Sequence, residues 1–172
     1  MKKTINALAL SAALISISAG ALVSCGGDGK QKVGLICLHG ETSTYDKNFI
    51  DAFKAACKAK GLQGIIKTDI PEGEEAYNTA KDLVDQGCKY VFADSFGHES
   101  HILRTAQESP EVQFSHATGT MAHTANVANF HNAFASIYEG RYLAGVAAGL
   151  KLQEMGTTNH NIGYVGAFPY AE

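Results

Sequence analysis

The feature that most constrains the fold is an alternation of two hydrophobic patterns along residues 32–165. Short unbroken apolar runs take turns with longer stretches whose apolar residues recur every three or four positions. Lys32-Val33-Gly34-Leu35-Ile36-Cys37-Leu38 is such a run, the pattern of a strand covered on both faces. A polar loop, His39–Thr44, leads to a helix predicted over Asp46–Lys60, with Phe49, Phe53, Ala56 and Cys57 on one face and Gly61 as its stop. The same beat predicts strands at Gly64–Ile70, Lys89–Ala93, Glu111–Ser115 and Asn161–Val165, and a short one at Asn126–Phe130. Helices are predicted at Glu72–Gln86, Gly97–Glu108 and, longest, Asn132–Gln153. In the second helix Ala76, Tyr77, Ala80, Leu83 and Val84 point inward.

Strand–helix–strand units of this size imply crossover connections, and therefore an α/β fold built on a doubly wound parallel sheet. Ligands of such sheets bind beyond the carboxyl ends of the strands, at the point where strand order reverses. That rule singles out four loops: His39–Tyr45, Asp69–Gly73, Asp94–Gly97 and His116–Thr124.

The N-terminus carries a different signal. Lys2 and Lys3 precede an uncharged, apolar or small stretch from Ile5 to Val23, which ends in Leu22-Val23-Ser24-Cys25. This has the form of a lipobox, so residues 1–24 are expected to be a lipoprotein signal peptide and Cys25 the lipidated residue. The run is marginal for the ~20 residues a membrane-spanning helix needs. Residues 25–31, rich in glycine and polar side chains, are expected to form a tether. The protein is thus expected at the cell membrane, held by its lipid and facing outside the cytoplasm.

Removing the leader takes away two lysines and leaves 148 residues, with 12 basic side chains against 17 acidic ones. This mildly acidic balance argues against nucleic acid, whose phosphates call for clustered Lys and Arg. Cys37, Cys57 and Cys88 lie in apolar patterns without CxxC spacing and are expected as small buried hydrophobes, although one disulfide among them is compatible with the sequence.

Catalytic and cofactor signatures are absent: there is no GxGxxG after the first strand, no phosphate-binding P-loop and no GxSxG elbow. Among seven histidines, His98 and His101 with Glu99, and His116 with His123, are the candidates for a metal. His98 and His101, three apart at a helix start, have no further local Cys, Asp or His cluster to support them, so no metal or other cofactor is expected. An exported α/β enzyme using Asp94, His98 and Glu99 as acid–base groups is the alternative from another class.

Five segments carry a resemblance. They are Tyr45-Asp46-Lys47-Asn48-Phe49, Asp94-Ser95-Phe96-Gly97, Pro110–Gly119, Tyr138–Gly145 and Ile162–Pro169, in this order. Together they resemble the basic membrane protein family of ABC transporter substrate-binding lipoproteins. The resemblance implies the N-terminal lobe of a two-lobed type I periplasmic-binding fold, with purine nucleosides or purine bases as ligands and an ABC permease as partner; a membrane-anchored sensor is the other role such a receptor could have. It divides the mature chain into an N-terminal ligand-binding lobe, 32–131, and a segment 132–172 holding the crossover helix and the first strand of an incomplete second lobe. Two lobes of ordinary size need about twice this length, so a fragment is expected.

The family's Asp-Lys-Ser-Phe-Asn stretch falls on Asp46, Lys47, Asn48, Phe49 and Ile50. By this resemblance Phe49 can stack on a purine, although its spacing from Phe53 makes it equally a core residue. Ile50 stands where the family has Asn, and Tyr45 where an acidic residue is common, so those polar contacts are either lost or supplied from elsewhere. The resemblance also assigns Asp94, Ser95, Phe96 and Gly97 to the wall of the cleft, and with Tyr45, Asp46, Asn48 and Phe49 these complete the expected binding residues.

Overall fold

The computed structural model describes residues 29–156 and 158–166. The leader, Cys25 and the start of the tether, like Ala167–Glu172, lie outside the described residues. Five parallel strands form one sheet: β1 (Lys32–Ile36), β2 (Gln63–Lys67), β3 (Cys88–Ala93), β4 (Gln113–Ala117) and β5 (Phe130–Ala133). Their order across the sheet is β2-β1-β3-β4-β5. The chain steps outward from β1 to β2, then crosses back to place β3 on the other side of β1. The reversal of strand order therefore falls between β1 and β3.

Side chains alternate across β1. Ile36 joins the larger core with Leu83, Val91, Ala93, Ile102, Phe114 and Phe130. Helices α2 (Glu74–Asp85) and α3 (Glu99–Glu108) supply its other members. Leu35 and Cys37 point the other way, toward Ile50 of α1 (Thr44–Lys60), with Phe49, Phe53, Ile66 and Phe92 packed around them. The three described cysteines are free and buried, as expected of small hydrophobes.

Most elements fall where the hydrophobic pattern places them, with shifts at their ends. Helix α1 begins at Thr44 rather than Asp46, because Ser43 caps it and accepts the Asp46 N–H at 3.3 Å. Gly61 ends it in the left-handed region (φ 65°), and the Leu62 N–H closes on the Cys57 carbonyl at 2.9 Å. β4 and β5 each lie a few residues later than expected, so β5 crosses position 131/132 and the sheet runs to Ala133.

Beyond a short helix α4 (Ala122–Ala125), the long helix α5 starts at Ile137, not Asn132, and runs to Met155. Residues 132 and 133 are held in the β5 ladder opposite His116 and Ala117 instead. The strand expected at Asn161–Val165 does not form: no described strand pairs with these residues, and Ile162, Tyr164 and Val165 are exposed. A run of apolar residues becomes a strand only when a partner edge takes up its N–H and C=O groups. Among the described residues no helix is long and apolar enough to cross a membrane.

Candidate solute site at the sheet's carboxyl edge

The loops that leave β1 and β3 meet at the reversal of strand order. Asp94 continues β3 by donating its N–H to the Ile36 carbonyl at 3.1 Å. Its Oδ1 accepts the Leu38 N–H at 3.2 Å, tying the two loops together. Asp46 anchors the β1 loop from the other side. Its Oδ1 accepts the His39 N–H at 2.9 Å, and its Oδ2 accepts the Ser43 hydroxyl at 2.5 Å and lies 3.3 Å from His39 Nδ1. Ser43 and Asp46 thus serve each other at the helix start, a variant of the capping box.

Burial has opposite outcomes for the two carboxyls. It pushes the Asp94 carboxyl up to about 7, opposed by the Cys37 thiol and the Leu38 N–H and reinforced by the charge of Asp46. It pushes Asp46 up as well, but the Ser43 and His39 hydrogen bonds outweigh it and hold that carboxyl below its ordinary value. The Cys37 thiol, buried beside both, is pushed far up.

Cys37, Asp46 and Asp94 offer three ligand atoms within 4.8 Å of one another. Sequence spacing could not show this group, because its members come from three separate elements. Both Asp46 oxygens already accept donors, the thiol holds its proton, and Asp94 keeps its own up to near neutrality.

The expected binding residues separate into two sets. Asp46, Asp94 and Ser95 are buried and hold the frame. Tyr45 and Phe96 stand at the edge, 46% and 45% exposed, and Asn48 is exposed with its Nδ2 donating to the Thr44 carbonyl at 2.7 Å. The Tyr45 hydroxyl donates to the Asp94 carbonyl at 2.9 Å, so its ring bridges the two loops. Phe49 is half-buried between the sets, its ring centroid 5.0 Å from Tyr45 and 5.8 Å from Phe92. It serves the α1-side core on one side and backs Tyr45 on the other.

The Asp94–Gly97 turn is fastened by groups outside it. The Ser95 hydroxyl and the Gly97 N–H both donate to Glu72 Oε1, at 2.6 and 2.9 Å. His116 Nε2 donates to the Ser95 carbonyl at 2.5 Å, and His98 Nε2 to the Ile70 carbonyl at 2.9 Å. Both imidazoles are buried, and burial lowers their basicity, so they are neutral frame groups. Nor do Asp94, His98 and Glu99 form an open acid–base set: Glu99 Oε1 accepts the Met121 N–H and the Asn132 amide at 2.7 and 2.9 Å, and all three residues are buried. Glu72 lies within the Asp69–Gly73 loop that the sheet rule picks out, but periodicity gives no reason to prefer it to its neighbours.

The parallel five-stranded sheet with helices packed on it makes the described chain an α/β lobe, with aromatic side chains gathered where strand order reverses. A family model described as ABC transporter substrate-binding protein PnrA-like, named Bmp, matches residues 39–172. The chain belongs to this Bmp family. A purine-binding protein of Brucella abortus is 36% identical over 150 residues, covering 83% of this chain and 39% of that protein. A Haloferax volcanii protein named as a glucose-binding protein of an ABC transporter is 39% identical over 82 residues, 48% of this chain and 19% of its own length. The chain therefore spans well under half of each relative.

Solved structures agree on the fold. A solute-binding protein of an ABC transporter system from Conexibacter woesei has a TM-score of 0.55 at 19% identity, over 60% of this chain and 35% of that one. A lipoprotein fragment from Peptoclostridium difficile 630 also has a TM-score of 0.55, at 17% identity, over 70% of this chain and 98% of its own.

Proposed function

We propose that the chain is the N-terminal lobe of a lipid-anchored receptor that captures a purine base or nucleoside and hands it to an ABC permease. The observation that carries this reading is the placement of Tyr45 and Phe96, with Phe49 behind, around the meeting point of the β1 and β3 loops. Flat aromatic faces at the edge of a rigid polar frame suit a flat heterocycle, and base–aromatic stacking contributes ~1–3 kcal/mol. The name of the Brucella relative points to the same ligand class.

In this reading residues 1–24 are removed, Cys25 is lipidated and residues 25–31 form the tether. The sheet domain is one wall of the cleft, and 132–172 leads toward a second lobe. Capture is then a hinge closure, driven only by the ligand's better contacts with the closed form. The open, one-sided geometry fits. Surface depressions of about 380 and 450 Å³ lie at Ala106–Asn129 and around Tyr138–Leu143.

The test is calorimetric titration of the full-length protein with adenine, inosine and glucose in parallel. Binding of a purine with glucose ignored supports the reading. Binding of glucose alone would leave a solute receptor with a different cargo. For the anchor, Cys25→Ser is expected to release the protein from the membrane fraction with its leader uncut; unchanged fractionation and mass would contradict lipidation.

A further inference from the structure

Glu72 sits in the loop after β2, outside every segment that carries the family resemblance, and yet it makes two hydrogen bonds to the turn after β3. Oε1 takes the Ser95 hydroxyl at 2.6 Å and the Gly97 N–H at 2.9 Å. These are donors that a solute-reading turn would otherwise present to ligand. We infer that Glu72 is a positioning residue for the solute site: its carboxylate holds the Ser95–Gly97 turn in the conformation that presents Phe96.

Three further observations fit this role. A Cβ on residue 97 would fall on the Glu72 carboxyl group itself, so glycine there leaves the seat the carboxylate occupies. His98, the next residue, is bound to the Ile70 carbonyl of the same β2 loop at 2.9 Å, so the two loops are joined at two points. From the far side, His116 Nε2 holds the Ser95 carbonyl at 2.5 Å. The turn therefore has a fixed inner side, while its outer side depends on one exposed glutamate.

The Ser95 hydroxyl first, and with it the Gly97 N–H, hold the Glu72 carboxyl below its ordinary value; burial opposes them. The carboxylate is thus the working form at neutral pH. A hydrogen bond to a charged group is one of the stronger kinds, and losing two at once is expected to weaken a site that depends on them by about tenfold or more.

The inference rests on the proposed solute site, and its test keeps the two apart. The Gly97 amide shift in nuclear magnetic resonance should titrate with a midpoint below that of free glutamate, and Glu72→Gln should abolish that titration. Neither result needs ligand. In the full-length protein Glu72→Ala should weaken purine binding by about tenfold, with thermal stability little changed because the residue is exposed. Glu72→Gln keeps an acceptor oxygen and should recover most of the affinity. Gly97→Ala should weaken binding in the wild-type background, and less so when Glu72 is already alanine. A Gly97 amide that does not titrate, or a Glu72→Ala protein that binds as tightly as wild type, would overturn the inference. Failure of the wild-type protein to bind any purine would strike the assigned solute instead, leaving the Gly97 titration to decide the fastening.

Discussion

The sheet domain and helix α5 are both rich in apolar residues, and the structure treats them differently. In α2, apolar residues fall on one side, and Ala76, Ala80 and Leu83 are buried against β1, β3 and α3. In α5, Ile137, Tyr138, Tyr142, Leu143, Val146, Leu150 and Met155 are all exposed, and no residue of the helix is buried. Its apolar residues are spread around the circumference rather than gathered in a stripe. A helix of that kind is usually covered on several sides, and the described sheet domain does not supply the cover. Composition and propensity are enough to make a helix; a directional stripe is what ties it to a particular neighbour. Gly145 and Gly149, with Ala144 and Ala148, make a smooth surface on α5, but nothing stands within 4 Å of where a Cβ on either glycine would be.

This contrast predicts a ranking of substitutions, each measured by urea unfolding of the chain. Leu83→Ala removes a fully buried side chain between α2 and β1 and should cost about 2–5 kcal/mol. The matching change Leu143→Ala in α5 should stay within about 0.5 kcal/mol. Equal effects would mean that α5 is packed as tightly as α2.

Next come two glycines whose alanine variants should change stability in opposite directions. A Cβ on Gly34 would stand 2.7 Å from Leu83 Cδ1, so Gly34→Ala should destabilise by about 1–3 kcal/mol. Gly145→Ala meets open space in mid-helix and should stabilise by about 0.5–1 kcal/mol. Ser43→Ala, which removes the cap of α1 and a partner of Asp46, should cost about 1 kcal/mol.

A pH series sharpens the comparison within the sheet domain. Between pH ~4 and ~7 an unfolded Asp94 is ionised, whereas the folded one keeps its proton because burial raises it to about 7. Folding then takes up a proton, so the Asp94 contribution is fully present below pH ~4 and is lost as pH rises through about 7. His98 and His116, with lowered basicity, act oppositely, losing stability as pH falls below their ordinary range. The difference between wild type and Asp94→Asn isolates the carboxyl: the variant should gain on wild type as pH is raised from 5 to 8. A constant difference across that range would mean that Asp94 is ionised throughout.

The frame of this molecule was more legible in the sequence than the site. The unbroken run at Val33–Leu38 announces a strand buried on both faces, and the apolar faces of the first two helices place α1 and α2 to within a few residues. The rule of strand order then points to the loops after β1 and β3, and these meet where the order reverses. What those loops do inside was hidden, because contact between Asp46, Asp94 and Cys37 depends on how three elements are brought together. The Ser43–Asp46 spacing of a capping box was present as a signal for the true start of α1. No local pattern separates Glu72 from its acidic neighbours Glu74 and Glu75, and none could show that Phe49 faces both the core and Tyr45. At Asn161–Val165 a strand-like pattern meets no partner edge among the described residues, and periodicity alone does not make a strand there.

The central claim is that solute is received at the carboxyl edge between β1 and β3. The most direct test is a nuclear magnetic resonance titration of the isotope-labelled full-length protein with adenine and inosine. The expected result is saturable shift changes at Tyr45, Asn48, Phe49 and Ser95–Gly97, with α2 and the Ala106–Asn129 surface unmoved. Saturable changes centred on the Ala106–Asn129 depression or on α5, with the loops after β1 and β3 silent, would contradict it.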